Sequence, residues 1–162
     1  MNRTARFAAA IVLGLVISVA AQAKEKNIKQ SDLPPAVQQT AERQSAGATV
    51  TGYTKEKVEG EMIYKMNLDV DGRARGVTMA ADGTVLVVLQ EIAWEDVPEA
   101  VKTDFTNVTG KKGKLGPVSS VSKMGRVVSY EAILVKDGVR ARVEIKPNTP
   151  ELDAIPTADS TK

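Results

Sequence analysis

The stretch Met62-Ile63-Tyr64-Lys65-Met66-Asn67-Leu68-Asp69-Val70-Asp71-Gly72 decides how this chain is read. Met62, Tyr64, Met66, Leu68 and Val70 alternate with Ile63, Lys65, Asn67 and Asp69. That period of two puts one set on a buried sheet face and the other in water. Asp71-Gly72 then signals a tight hairpin, because glycine takes positive φ without strain. The return strand, Arg73–Ala80, carries Val77 and Met79 in the buried phase. Asp82-Gly83 predicts a second turn into Thr84–Trp94, whose run Val85-Leu86-Val87-Val88-Leu89 is apolar on both faces and therefore belongs in the middle of a sheet.

Upstream, the period changes to that of a helix. Asp32 is the predicted cap, with Pro34 and Pro35 in the first turn where a missing N–H costs nothing. Leu33, Ala36, Val37, Thr40 and Ala41 make one weakly apolar stripe that Gly47 ends. Downstream, the same order returns. Asp32-Leu33-Pro34-Pro35-Ala36-Val37 is echoed by Asp96-Val97-Pro98-Glu99-Ala100-Val101, and Tyr64 through Gly72 by Tyr130 through Gly138. The second helix has Val97, Ala100, Val101, Phe105 and Val108 as its stripe and stops at Gly110. Its strands carry Val128, Tyr130, Ala132 and Leu134, then Val139, Ala141, Val143 and Ile145 after the turn Asp137-Gly138. Ala48–Thr54 and Val118–Met124 are the predicted first strands of each copy. Neither helix is apolar enough to stand alone. The expected fold is α+β: two tandem helix-then-antiparallel-meander repeats, with helices packed on one face of the sheet.

The N-terminus reads differently. Arg3 and Arg6 precede an uncharged, largely apolar stretch from Phe7 to Ala20, and Ala21-Gln22-Ala23 supplies a small-x-small cleavage pattern. Residues 1–23 are the expected signal peptide, too short in their apolar run to be a membrane span. The remaining boundaries are a linker over 24–30, the first repeat over 31–93, the second over 94–150, and a disordered tail over 151–162. Periplasmic or secreted localisation follows, with no membrane span in the mature form. Lys and Arg total 22 against 20 Asp and Glu, so losing Arg3 and Arg6 balances the side-chain charge. Export, that balance and few stacking aromatics disfavour nucleic acid as a partner.

The chain contains neither cysteine nor histidine. Disulfides, thiolate metal sites, thiol nucleophiles, Ser-His-Asp triads and imidazole proton shuttles are thereby excluded. No enzyme constellation assembles from what is left, and no cofactor is expected. Asp69-x-Asp71-Gly72 has the opening of a calcium loop, but Arg73, Val77 and Ala80 stand where further oxygen ligands are needed. Gly110-Lys111-Lys112-Gly113-Lys114 lacks the spacing and hydroxyl of a phosphate loop. The aromatic residues Trp94, Tyr53, Tyr64, Phe105 and Tyr130 are expected to fill core.

A helix opening Asp-Leu/Val-Pro-x-Ala-Val, followed by a meander with a mid-strand Tyr and Asp-Gly hairpins, in tandem behind a leader, resembles PepSY-like proteins. The resemblance spans about residues 31–150 and rests on Pro34, Pro98, Tyr64, Tyr130, Asp71-Gly72 and Asp137-Gly138. These are bacterial secreted or periplasmic domains related in fold to the β-lactamase-inhibitor protein. The likeness implies an α+β fold and a non-catalytic binding or inhibitory role, with an envelope peptidase or other hydrolase as the protein partner. It brings no catalytic residue. Lys146-Pro147-Asn148-Thr149-Pro150 departs from the pattern, so the second copy is expected to lack its last strand.

The face opposite the helices is the expected binding surface. Lys65, Asn67 and Thr78 contribute from the first half, and Glu131, Arg140, Arg142 and Glu144 from the second; Asp69, Ser129 and Lys146 share that phase. A mixed-charge sheet face suits docking of a protein or extended peptide, with Arg a favoured anchor, although solvated faces look the same. Arg73 and Arg75 sit instead in the buried phase, either as a cationic hook for a carboxylate or as stems lying along apolar surface. The alternative function is small-ligand or ion binding in the cleft between the repeats. A third reading is edge-to-edge self-association through the shortened second sheet.

Overall fold

The structure is a computed structural model and describes residues 25–147. The leader-like segment 1–23 and the tail 151–162 lie outside the described residues. The elements are β1 (Lys26–Ile28), α1 (Pro35–Gln44), β2 (Thr49–Val58), β3 (Glu61–Val70), β4 (Arg73–Ala80), β5 (Val85–Ile92), α2 (Glu99–Thr109), β6 (Lys114–Leu115), β7 (Val118–Lys123), β8 (Arg126–Lys136) and β9 (Val139–Ile145). A short 3-10 turn precedes each helix, at Gln30–Asp32 and Trp94–Asp96.

The expectation of two tandem helix-then-meander repeats is corrected. Among the described residues all nine strands join one antiparallel sheet, and the two α-helices, of 10 and 11 residues, are minor elements beside it. The join is β5 with β7, paired from Val88↔Ser122 to Ile92↔Val118. Its physical cause is visible in β5: apolar on both faces, the strand would expose a full edge of unpaired N–H and C=O groups if the sheet stopped there. β6 and β7 follow one another along a single side of β8, because β9 occupies the other side from Tyr130 to Lys136. They are interrupted at Gly116-Pro117, where Gly116 N–H donates to Ile133 O at 2.8 Å. The sheet therefore runs β1-β2-β3-β4-β5-(β7, β6)-β8-β9, with β9 at one edge.

Other local expectations change for identifiable reasons. Asp32 and Asp96 do not cap α1 and α2; Pro34 and Pro98 stand at those positions. Proline holds the preceding residue extended, so Leu33 and Val97 keep ψ of 143° and 133° and no helix can begin before them. Asp32 instead accepts the Lys29 N–H at 3.0 Å within the 3-10 turn. Residues 24–30, read as a linker, contain β1, which pairs Ile28 with Tyr53. Hairpins with paired positive φ occur at Asp71-Gly72 and Asp137-Gly138, and also at Glu59-Gly60 and Met124-Gly125.

Two apolar clusters form on one face of the sheet. Leu33, Val37 and Ala41 of the first helical segment meet Tyr53, Tyr64, Met66, Leu68, Val77 and Met79. Val97, Val101 and Phe105 meet Val118 and Ala132. Val88 packs on the first cluster and Ile92, four residues along the same strand and so on the same side, packs on the second. Trp94, expected in the core, is 41% exposed.

Candidate functional site

Among the described residues, the side of the sheet away from these clusters carries no helix. Its side chains fall into three rows across the strands, because directly paired residues project to the same side. One row is Thr54, Lys65, Thr78 and Val87. The middle row is Gly52, Asn67, Gly76, Leu89, Val121 and Ser129. The third is Glu91, Ser119, Glu131 and Glu144. Beyond it, Ile133 pairs Arg142 and Val135 pairs Arg140.

The structure thus brings Lys65, Asn67, Thr78, Glu131, Arg140, Arg142 and Glu144 onto one face, but in two groups. Lys65, Asn67 and Thr78 lie on β3 and β4; the others lie on β8 and β9. Between them stand β5 and β7, which add Glu91 and Ser119 to the third row but put apolar side chains in the other two: Val87, Leu89 and the buried Val121. Two glycines and a serine keep the middle row low. A side chain built at Gly76 would meet only Leu89 Cβ, at 4.0 Å, and one at Gly52 would meet nothing within 4 Å. The site is a shallow trough across the strands, with an apolar floor and charged walls. Ser129, expected among the solvated residues, is fully buried and its Oγ has no partner.

The first wall is ordered by charge. Glu25 accepts the Thr54 hydroxyl at 2.6 Å, while Lys65 Nζ lies 2.7 Å from Glu56 and 3.6 Å from Glu25. The Thr54 hydrogen bond, assisted by the Lys65 ammonium, holds the Glu25 carboxyl below its ordinary value of 4.5. Burial alone would lower Lys65; its hydrogen bond to Glu56 and the charges of Glu25 and Glu56 outweigh that and raise it above 10.5. The second wall is looser: Arg142 lies 3.6 Å from Glu131 and is 70% exposed.

These shifts fix a pH dependence. The depressed Glu25 contributes stability above pH 4.5 that is lost as pH falls through its folded value; the raised Lys65 contributes stability below pH 10.5 that is lost as pH rises through its own. Tyr53, raised above 10.0 by burial and the Glu42 charge, adds to the alkaline loss. Because the ion pairs are partly exposed, the acid-side loss is expected to be no more than about 1 kcal/mol. Thermal melts from neutral to acidic pH check this: Thr54→Val should flatten the acid limb, and an unchanged limb would dismiss the Glu25 hydrogen bond as its source.

Arg73 and Arg75 lie on the clustered side, opposite Val70 and Leu68. They do not act as a pair. Arg73 is exposed, whereas Arg75 is half-buried and donates to Gln44 Oε1 at 3.0 Å, its Nε lacking a partner. Arg75 opens a polar row continuing through Gln90, Ser120 and Tyr130 between the two clusters. A cavity of about 220 Å³ lies elsewhere, lined by Trp94, Thr106, Thr109, Gly110 and Leu115. Among the described residues no group of three or more acidic side chains is arranged to hold a metal, and no helix is long and apolar enough to cross a membrane.

No protein-family model and no curated protein matches the sequence. Solved structures similar at low identity include two from Bacteroides. One, from Bacteroides thetaiotaomicron, is provisionally described as a calcium-regulated periplasmic protein; it is 15% identical over 76% of this chain and 90% of that one, with a TM-score of 0.36. The other, from Bacteroides vulgatus, is provisionally described as a periplasmic protein of the DUF2874 family; it is 14% identical over 78% of this chain and 99% of that one, with a TM-score of 0.37.

Proposed function

We propose that this chain is a non-catalytic, exported binding module of the PepSY-like class that engages a protein partner through the bare face of its sheet. The observation that carries the reading is the middle row of that face. A sheet side meant only for water alternates polar residues outward on every strand; here Leu89 and Val121 interrupt the charge, and Gly52 and Gly76 leave room above the backbone. Apolar floor with polar rim is the anatomy of a protein interface. The leader-like residues 1–23 support export to the periplasm or beyond, and the absence of histidine and cysteine supports a role without catalysis. The PepSY-like resemblance favours an envelope hydrolase as the partner. A small-ligand role in the cleft between the clusters has only the half-buried Arg75 in its favour.

The test is affinity capture from envelope extract with the processed chain. Leu89→Glu, which places a charge on the trough floor, is expected to weaken a captured partner by at least about tenfold, the usual cost of spoiling a central interface contact. Trp94→Ala, remote from the trough, should leave capture intact. Equal capture by both variants, with both folded by circular dichroism, would overturn the assignment of this face.

A further inference from the structure

We propose that β9 is a pairing edge whose occupant is the β9 of a second copy of this chain, joined antiparallel about Arg142. The two edges of the sheet are unequal. At one edge β1 offers three residues, Lys26–Ile28, and leaves β2 open on either side of them; at the other β9 offers seven in one unbroken run, Val139–Ile145, and among the described residues β9 pairs only β8. Exposed edges are ordinarily guarded by charged side chains, most decisively by one pointing to the packed side, by a bulge or by proline within the strand. β9 carries its charges, Arg140, Arg142 and Glu144, on the bare side alone, and has no inward charge, bulge or proline. Its residues on the clustered side are Val139, Ala141, Val143 and Ile145, and its ladder to β8 is unbroken from Ile145 to Val139.

The sequence of β9 is self-complementary in one full-length register. With Arg142 opposite its own copy, Arg140 meets Glu144 of the second copy, and Glu144 meets Arg140, on the bare side. On the other side Val139 meets Ile145, and Ala141 meets Val143, each pair occurring twice. Cross-strand pairs of these kinds are the unit of sheet stability. The single like-charged pair, Arg142 with Arg142, is tempered because each Arg142 already lies beside Glu131 of its own β8. Shifting the register by two residues shortens the ladder, and one such shift sets Arg140 against Arg142. The chosen register also covers what α2 leaves open. Val143 and Ile145 pack beneath α2, but Val139 is 65% exposed and would gain the Ile145 of the second copy as a neighbour. The middle row of the trough is untouched by this contact.

Because the chain has no cysteine, a single introduced thiol reports the register. In the proposed pairing the two copies of Arg142→Cys face each other at a Cα separation of about 4.5–5.5 Å, within disulfide reach. The two copies of Val139→Cys are about 20 Å apart. Mild oxidation of the processed chain is expected to give covalent dimer at least tenfold faster for Arg142→Cys than for Val139→Cys, and sedimentation equilibrium of the unmodified chain should show mass rising towards a dimer with concentration. Ala141→Lys sets an inward charge on the exposed edge and should abolish that rise while leaving the thermal melt unchanged at concentrations low enough for both proteins to be monomeric. A concentration-independent monomer mass, or equal cross-linking at the two positions, would overturn the proposal.

Discussion

Truncating Phe105 to alanine is expected to destabilise the protein by about 3–5 kcal/mol, the cost of a large cavity in a packed core. Phe105 is fully buried and is the largest such side chain. Its buried neighbours Val101, on α2, and Val118 and Ala132, on strands paired on either side, are held by fixed backbones, which limits collapse into the space. Against a total stability of about 5–15 kcal/mol, the loss is a large share. The form of the unfolding curve is equally diagnostic. Since β5–β7 pairing makes one sheet of both halves, Met66→Ala, which empties the other cluster, should lower the same transition by about 2–5 kcal/mol. Far-ultraviolet circular dichroism and the fluorescence of the single tryptophan, Trp94, should trace coincident denaturation curves for both variants. A curve that splits, with Phe105→Ala lowering only one limb, would show that the halves unfold independently.

What the sequence discloses here depends on how local the determining physics is. The alternation from Met62 to Val70 is a property of one strand, and β3 follows it: Tyr64, Met66 and Leu68 are buried. The Asp-Gly hairpins carry that phase from strand to strand, which is why Lys65 and Thr78, or Glu131 and Glu144, could be placed on a common face. Glu59-Gly60 and Met124-Gly125 adopt the same paired positive φ but escape notice, because Glu and Met do not advertise left-handed backbone as Asp and Asn do. β1 has three residues and no period to read. Most consequential, β5–β7 pairing joins strands separated by a whole helix, and nothing in either strand names its partner. The rows of the trough were illegible for the same reason. They depend on register, and register shifts between Thr78 and Met79 and between Val121 and Ser122. The signal that pointed at the trough floor was the two-faced apolar run of β5; it announced a central strand, and equally an apolar stripe on the side no helix covers.

Ser129 and Arg75 mark where such reasoning stops. Strand period puts Ser129 on the wet side, yet it is fully buried. The same period puts Arg75 among apolar residues, where it is held by Gln44 at the C-terminal end of α1. For Arg75 the decisive neighbour comes from an element distant in sequence.

The second large effect is expected at Gly83. Its φ is +84°, a left-handed conformation, and a Cβ added there would stand 2.5 Å from the Ala36 carbonyl oxygen and 3.1 Å from Thr40 Oγ1. Those atoms belong to α1, so this turn is the seat on which the helix rests. Thr40 secures it by donating its hydroxyl to Gly83 O at 2.9 Å, and Arg43 in turn donates to Thr40 Oγ1 at 2.7 Å. Gly83→Ala must therefore either distort the turn or lift α1, drawing Val37 and Ala41 out of the first cluster. Gly72 provides the control: its φ is similar, +79°, but nothing lies within 4 Å of the added carbon. Gly72→Ala should cost about 1–2 kcal/mol, the backbone strain alone, whereas Gly83→Ala should cost about 2–4 kcal/mol. The difference isolates the contact between helix and turn, and denaturant midpoints at unchanged slope measure it. Equal losses at the two positions would mean that α1 does not depend on this seat, and that its hold on the sheet comes from Leu33, Val37 and Ala41 alone.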